Sequence, residues 1–297
     1  YEELFAEGEV FLQEGLQALA KQVQSKDGVL VYNSLGFARS DVIAIDGEVY
    51  ESGLIPAYGW KVVQPERNVS KVVIQGNTVE NAYYSLTVDD YGRISRLYDK
   101  RFDREVFCQN QAGNEIQLFE DMPLEYENWE LADYYPVKGR VLKATKISPV
   151  EEACRKGFRM DYVYHDSTMT QYIYLYENLQ RIDVKNEIEW HEKKQLMKIA
   201  FPFRIHTNHA SYDIQFGNVE RSTCRNTSWD AAKFEVCGHK WVDLSEYDYG
   251  VSLLNDCKYG FSTEENVLKL TVLKCGTYPN EVADQGHHSF TYSLYPH

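Results

Sequence analysis

The sequence lacks most of the short motifs that mark a catalytic or metal centre. Its six cysteines form no CxxC pair, and the chain contains no GxGxxG fingerprint, P-loop or GxSxG elbow. His191 and Glu192 begin like a zinc-protease helix, but Gln195 stands where the second histidine is needed. We therefore interpret residues 191–195 as a solvated turn, and the cysteines as reduced thiols of a cytoplasmic protein.

Basic residues and long apolar runs are also scarce. The chain has 31 Lys and Arg against 45 Asp and Glu, which gives a formal net charge of −14. Nucleic acids and anionic membranes attract clustered basic side chains, so we expect neither as a partner. No apolar run approaches the roughly 20 residues that a membrane-spanning helix needs.

Aromatic residues, by contrast, make up 14% of the chain, and Tyr and Phe favour strands. After residue 28 the hydrophobic period changes from helical to alternating, with strands predicted at residues 29–32, 42–45, 60–63, 83–88, 93–98, 181–190, 197–205, 267–273 and 290–294. Residues 89–92, Asp-Asp-Tyr-Gly, predict a hairpin turn. Pro202 would place its strand at an edge or a bulge. The fold class is therefore mainly β, an antiparallel β-sandwich preceded by one helix and a small β unit.

The helix is predicted over residues 1 to about 25, with Leu12, Leu16, Leu19 and Val23 on one face, and the polar residues 25–28 end it. Such an apolar stripe needs a partner. It packs either on the sheet or on helices upstream, and the second explanation makes the chain a fragment. We expect three parts: residues 1–27 as the last helix of a truncated bundle, 28–66 as the small β unit, and 67–297 as the sandwich.

One candidate ligand-binding segment spans residues 119–130. It carries five carboxylates with Tyr126 and Trp129, and has too few aliphatic residues for a core strand. Carboxylates accept hydrogen bonds from vicinal sugar hydroxyls, and an indole face stacks on the C–H side of the ring. Asp121 and Trp129 are therefore substrate-facing candidates. A solvated acidic loop explains the same charges.

A second candidate segment is residues 226–230, which combine short polar side chains with one Trp and one carboxylate. Its substrate-facing candidates are Asn226, Trp229 and Asp230, because loops of this kind bind ligands. An ordered turn in which Asp230 or Ser228 caps a backbone amide accounts for the segment equally well.

Longer runs carry a resemblance to a known family. They resemble the C-terminal region of class II α-mannosidases, glycoside hydrolase family 38, in the cytosolic and vacuolar branch. The runs are residues 119–124, 211–217, 226–236, 239–246, 253–260 and 290–297. The resemblance covers most of the chain.

The resemblance implies a retaining α-mannosidase with an Asp nucleophile and a Zn²⁺ in an N-terminal α/β domain. A helical bundle and β-sandwiches of the galactose-mutarotase type would follow. No position here matches the nucleophile or the zinc ligands, so none is carried over. The zinc would belong to the full-length parent, and this chain alone would be inactive. It would meet the oligosaccharide only through the missing catalytic domain, whose absence would leave an apolar patch that favours homo-oligomers.

Two other functions remain open from the residues. A stand-alone carbohydrate-binding module explains the aromatic residues and the sandwich, although not the partnerless helix. An aldose epimerase would need a His and a carboxylate aimed at one sugar carbon, and only the analogy of fold suggests it.

Overall fold

The computed structural model describes residues 1–23, 27–65 and 70–297. It divides into two compact units, residues 1–69 with 152–154, and residues 70–151 with 155–297. The domain boundary predicted between residues 66 and 67 lies outside the described residues. So do Ser25 and Lys26, which are predicted to end the helix.

The first unit holds one helix and two short hairpin-like strand pairs. Its elements are α1 (Glu2–Ala20), β1 (Val29–Tyr32), β2 (Val42–Ile45), β3 (Glu48–Glu51) and β4 (Trp60–Val63). β1 pairs antiparallel with β4, and β2 with β3. The sequence reading missed β3. The signal in the sequence was the dipeptide Asp46-Gly47, which is typical of a two-residue hairpin turn. In the structure these residues have φ of 51° and 81°, the two positive values that such a turn requires.

Helix α1 buries none of its residues. The side chains of Leu16, Leu19 and Val23 line a groove of about 640 Å³ within the first unit, together with Val31 and Ile43 of the strands. Three residues of the predicted apolar stripe thus lie along a groove that strands of the same unit also line.

The second unit is built of strands. They are β5 (Val73–Gln75), β6 (Thr78–Glu80), β7 (Tyr84–Val88), β8 (Ile94–Asp99), β9 (Arg104–Glu105), β10 (Glu115–Glu120), β11 (Gly139–Val141), β12 (Lys146–Glu151), β13 (Arg155–Tyr164), β14 (Ser167–Tyr176), β15 (Ile182–Trp190), β16 (Gln195–Pro202), β17 (His209–Ile214), β18 (Gly217–Ser222), β19 (Val236–Cys237), β20 (Trp241–Ser245), β21 (Gly250–Asn255), β22 (Gly260–Glu264), β23 (Val267–Lys274) and β24 (Gly286–Pro296). A 3₁₀ turn (Tyr135–Lys138) and a short helix α2 (Ser228–Ala231) lie in the connections.

Among the described residues these strands form three antiparallel sheets. The five-stranded sheet has the order β5-β6-β7-β8-β9, and the six-stranded sheet the order β11-β10-β16-β23-β22-β19. The nine-stranded sheet has the order β12-β13-β14-β15-β24-β21-β20-β17-β18. The antiparallel β-sandwich is confirmed.

The core lies between the sheets, where alternation along each strand points every second side chain inward. In β15 the predicted inward residues Ile188 and Trp190 are buried. Across the sheets, Phe201 of β16 meets Tyr292 of β24 edge to face, with ring centroids 5.8 Å apart. Such contacts tie the six-stranded sheet to the nine-stranded one.

A polar network is embedded in this core. Gln171 donates to Asn186 Oδ1 at 2.8 Å and to Tyr292 Oη at 3.0 Å, and accepts from Asn114 Nδ2 at 2.6 Å. Tyr292 in turn donates to Asn114 Oδ1. All four side chains are buried, so each bond satisfies a group that water does not reach.

The expectation for Pro202 is wrong in one respect. Its strand, β16, is not at an edge but lies between β10 and β23. Pro202 is the last residue of β16, where a missing N–H interrupts no ladder beyond it. The register shift of this strand falls between Met197 and Lys198, away from the proline.

The hairpin predicted at residues 89–92 is confirmed between β7 and β8. Gly92 has a φ of 85°, and an added Cβ there would lie 2.2 Å from Tyr162 Oη, so both backbone and packing require glycine. In the part of the chain that the structure describes, no helix is long and apolar enough to cross a membrane.

Candidate functional site

The outer face of the six-stranded sheet carries polar side chains in register. Alternation sends Ile116 and Leu118 of β10 into the core, so Gln117 points outward. The register sets Gln117 opposite Lys198 of β16. One step along, Glu115 of β10 faces Ala200 of β16, which in turn faces Lys269 of β23. This face is therefore amphipathic and charged, unlike the core face beneath it.

A buried lysine stands at the centre of this face. We call Lys198, Glu235, Tyr135 and Ser262 the lysine cluster. Lys198 is 0% exposed, and its Nζ donates to the carboxylate of Glu235, to Ser262 Oγ at 2.8 Å and to Tyr135 Oη at 3.4 Å. Burial lowers the pKa of Lys198 to about 8, although Glu235 opposes the shift. Tyr135 Oη donates to Glu235 Oε1 at 2.8 Å.

The cluster joins the two candidate segments. Tyr135 follows residues 121–134, which we call the acidic loop. Glu235 ends residues 223–235, which we call the amide loop. Leu131 of the acidic loop and Phe234 of the amide loop both pack on a small apolar cluster of Phe119, Tyr135 and Leu196. The structure thus brings the bases of both loops together on one sheet face.

Asp121 begins the acidic loop and is 1% exposed. Its Oδ2 lies 2.7 Å from Lys274 Nζ, and its backbone N–H donates to Lys194 O at 2.9 Å. Desolvation raises the pKa of Asp121, while Lys274 lowers it. Asp121 therefore anchors the loop from beneath and does not present its carboxylate to solvent.

Glu127 fastens the middle of the same loop. Its Oε2 accepts from Thr277 N at 2.7 Å and from Thr277 Oγ1 at 2.6 Å, and its Oε1 lies 3.2 Å from Lys194 Nζ. The hydrogen bonds from Thr277 are the main reason that the pKa of Glu127 falls to about 2. A Cβ on Gly276 would lie 2.1 Å from Asn128 Oδ1, so the loop closely approaches the backbone that follows β23. Asp121 and Glu127 thus anchor the acidic loop to the fold.

The amide loop is ordered by helix capping. Thr227 is the N-cap of α2, accepting from the backbone N–H of Asp230 at 3.1 Å. Its hydroxyl donates to Asp230 Oδ2 at 2.7 Å. The alternative prediction of a capped turn is thus partly realised, with Thr227 rather than Ser228 or Asp230 as the cap. The sequence signal for this cap was Thr227 followed by an acidic residue, Asp230, three positions later.

The one tryptophan of each loop, Trp129 and Trp229, has an exposed side chain. Trp129 is 69% exposed and meets Tyr126 edge to face at 6.3 Å, and Trp229 is 79% exposed. Asn226 is exposed, and Asp230 is half-buried by its capping contacts. These four side chains are available to a ligand or to another protein surface.

Sequence reasoning missed the lysine cluster. Lys198 lies in a strand whose other residues, apart from Gln195, are apolar, and the only signal was its place on the outward phase of the alternation. Its partners lie 37 positions away at Glu235 and 63 positions away at Tyr135. Nothing in a single sequence connects these positions.

The described residues offer no metal centre. Over residues 1–23, 27–65 and 70–297 no group of three or more His, Cys, Asp and Glu side chains could hold a metal ion. The donor groups in these ranges therefore do not fit a resident Zn²⁺, and no chemical step here runs through one.

Comparison with known proteins places this geometry in a family. The profile of the Glycosyl hydrolases family 38 C-terminal domain matches residues 79–281. Alpha-mannosidase 2C1 of Homo sapiens is 32% identical over 318 aligned residues, which cover 100% of this chain and 30% of that protein. Alpha-mannosidase G of Dictyostelium discoideum is 37% identical over 74% of this chain and 21% of its own length. The chain thus spans less than a third of these curated relatives.

A solved structure supports the same fold. The crystal structure of an alpha-mannosidase from Enterococcus faecalis V583 superposes with a TM-score of 0.67 and 12% sequence identity. The match covers 96% of this chain and 39% of that one. At this identity the likeness shows the architecture alone.

Proposed function

The chain belongs to glycosyl hydrolase family 38, of which it carries the C-terminal domain, and we propose that it is the scaffold and pocket wall of an α-mannosidase. The relatives bear that name, and this chain spans 30% of the human one. In this proposal the protein hydrolyses terminal α-mannosidic bonds with retention, and this part supplies no reacting group. Its place of action is the cytoplasm.

The observation that carries the proposal is the pair of anchored loops. Trp129 and Trp229 are exposed on loops whose bases are tied to one sheet face. An indole face stacks well on the C–H side of a sugar ring. Asn226 and Asp230 add amide and carboxylate groups that bond hydroxyls. Asp121, being buried, would support the wall as a positioning residue.

The chemistry of retention explains why this part would be inactive alone. A retaining glycosidase uses two carboxyl groups about 5–5.5 Å apart, one as nucleophile and one as acid and base. In the proposal these groups, and the Zn²⁺ of the parent, belong to the catalytic domain. The anchored carboxylates described above, Asp121 and Glu127, are engaged with Lys274, Thr277 and Lys194, so they serve structure.

The test uses the full-length protein that contains this chain. Trp129→Ala and Trp229→Ala should each lower kcat/KM for an aryl α-mannoside about three- to tenfold, the worth of one aromatic contact. Tyr247→Ala, which removes an exposed aromatic outside both loops, is the matched control and should leave kcat/KM unchanged. If both tryptophan variants behave like the control, the loops are not a substrate wall.

The isolated chain provides a second test. It should release no aglycone from an aryl α-mannoside at any zinc concentration, because the carboxyl pair and the metal ligands are proposed to lie elsewhere. Measurable hydrolysis by the purified chain, at a rate that scales with its concentration, would refute the scaffold assignment.

A further inference from the structure

The outer face of the six-stranded sheet also lines a cleft to which neither loop contributes a residue. This cleft has a volume of about 500 Å³, and we call it the sheet groove. Ala200, Pro202 and Val267 form an apolar floor, and the hairpin at residues 89–93 and the connection at residues 110–112 border it. All these residues belong to the second unit.

One wall of the sheet groove is a rigid ion-pair network. Arg93 Nη1 lies 2.8 Å from Glu115 Oε2, and Arg93 Nε donates to Asp89 Oδ2 at 2.9 Å. Gln117 Nε2 donates to the other Glu115 oxygen at 2.8 Å. These half-buried groups hold one another in place, so the wall is organised before any ligand arrives.

Two polar atoms at the sheet groove are left without partners. Lys269 is half-buried, and within the described residues its ammonium makes no ion pair or hydrogen bond. Its Nζ lies 5.6 Å from the centroid of the Phe119 ring, at the distance of a cation–π contact. Gln117 Oε1 is also buried with no hydrogen-bond partner there. The Lys269 ammonium is not enclosed, so it can donate to a ligand in the sheet groove, whereas Gln117 Oε1 is enclosed and stays an unpaired acceptor.

The charges of the sheet groove select the kind of ligand. Asp89 and Glu115 balance Arg93 and Lys269, so the sum is zero. An anion would face two carboxylates, and a cation would face Arg93 and Lys269. A purely apolar ligand would leave Lys269 without an acceptor. A hydroxyl both accepts and donates, so a polyol matches Lys269 and Glu115 together.

We propose that the sheet groove binds a neutral sugar unit, with Lys269 donating to one hydroxyl and Glu115 accepting from its neighbour. The apolar floor of Ala200, Pro202 and Val267 takes the C–H face of the ring. This binding goes beyond the proposed function, because it rests on the sheet groove and not on the two loops.

The experiment titrates the 297-residue chain with methyl α-D-mannopyranoside, glucose, mannobiose, mannose 6-phosphate and inorganic phosphate. Saturation-transfer NMR detects binding, and calorimetry measures affinity. We expect the neutral sugars to bind, and Lys269→Met to weaken them about tenfold, the worth of one hydrogen bond to a charged group. Methionine keeps most of the length of the lysine stem without its charge.

Two further variants make the outcome decisive. Ser95→Trp fills the rim of the sheet groove without touching a charge and should abolish binding. Lys185→Met, on the exposed side of β15 in the nine-stranded sheet, is the matched control and should bind as the parent does. If no neutral sugar binds, if only the phosphate compounds bind, or if both Lys269→Met and Ser95→Trp keep full affinity, the proposal is overturned. Loss of the loop tryptophans should leave this binding intact, which separates it from the proposed wall.

Discussion

The lysine cluster gives a sharp test because its two charges should respond very differently to removal. Glu235→Gln leaves Lys198, which is 0% exposed, as an uncompensated buried cation. Breaking a buried pair in this way costs about 3–5 kcal/mol. Lys198→Met leaves Glu235, which is 18% exposed and still accepts from Tyr135, so the carboxylate keeps a donor and water. We expect that variant to lose less than about 1.5 kcal/mol.

The pH dependence of the same pair has a defined sign. The pKa of Lys198 falls from its ordinary 10.5 to about 8 in the folded chain. Between those two values the unfolded chain binds the additional proton, so the free energy of unfolding rises with pH. The difference is worth about 3 kcal/mol across that window. Above about pH 9 the gain is offset, because burial raises the pKa of Cys275 from 9.0 to about 12 and also raises that of Tyr135, and both groups lose their protons on unfolding at high pH.

Urea unfolding followed by tryptophan fluorescence and circular dichroism measures these free energies at pH 7 and pH 9.5. Unchanged slopes would show that the variants alter stability and not the denatured state. Glu264→Gln, which breaks an exposed pair with Arg225 at 3.2 Å, is the control and should cost under about 1 kcal/mol. The double variant Lys198→Met with Glu235→Gln should recover most of the stability that Glu235→Gln loses. Equal costs for Glu235→Gln and Lys198→Met, or the same pH profile in the parent and in Lys198→Met, would refute the reasoning.

Two other predictions concern stability. Gln171→Leu keeps the side-chain volume but removes the hydrogen-bond partner of Asn114 Nδ2 and of Asn186 Oδ1, which are buried in the core. It should lower the free energy of unfolding by about 2–5 kcal/mol. Thr168→Val, exposed on the same strand, should change it little, and a similar loss in both would show that the network adds nothing. Glu127→Gln tests the pH dependence of stability in acid, since the pKa of Glu127 drops from 4.5 to about 2 in the folded chain. The urea midpoint of the parent should exceed that of Glu127→Gln by its full amount above pH 4.5, and the difference should shrink as pH falls towards 2. A difference that grows below pH 4 would contradict this assignment.

Local patterns in the sequence predicted much of the architecture. Strict alternation in β15 predicts one buried face whatever its neighbours are, because the side-chain period of a strand is two. The turn at residues 89–92 was likewise readable, since only a residue such as Gly92 tolerates its φ of 85°. The missed strand β3 had a readable signal at Asp46 and Gly47. Long matching runs identified the family, which the profile match then confirmed.

Tertiary structure decided which polar residues are available and which are consumed by the fold. Asp121 and Trp129 look equally suited to a sugar in sequence, yet one is 1% exposed and the other 69%. Alternation tells which side chains share a face, but not which sheet covers that face or which charge lies across it. Lys198 meets Glu235 through a strand order, β16-β23-β22-β19, that no local rule contains. Which distant charges pair depends on the order of the strands in the sheet. That order is determined by burial of the whole hydrophobic core, to which every strand contributes.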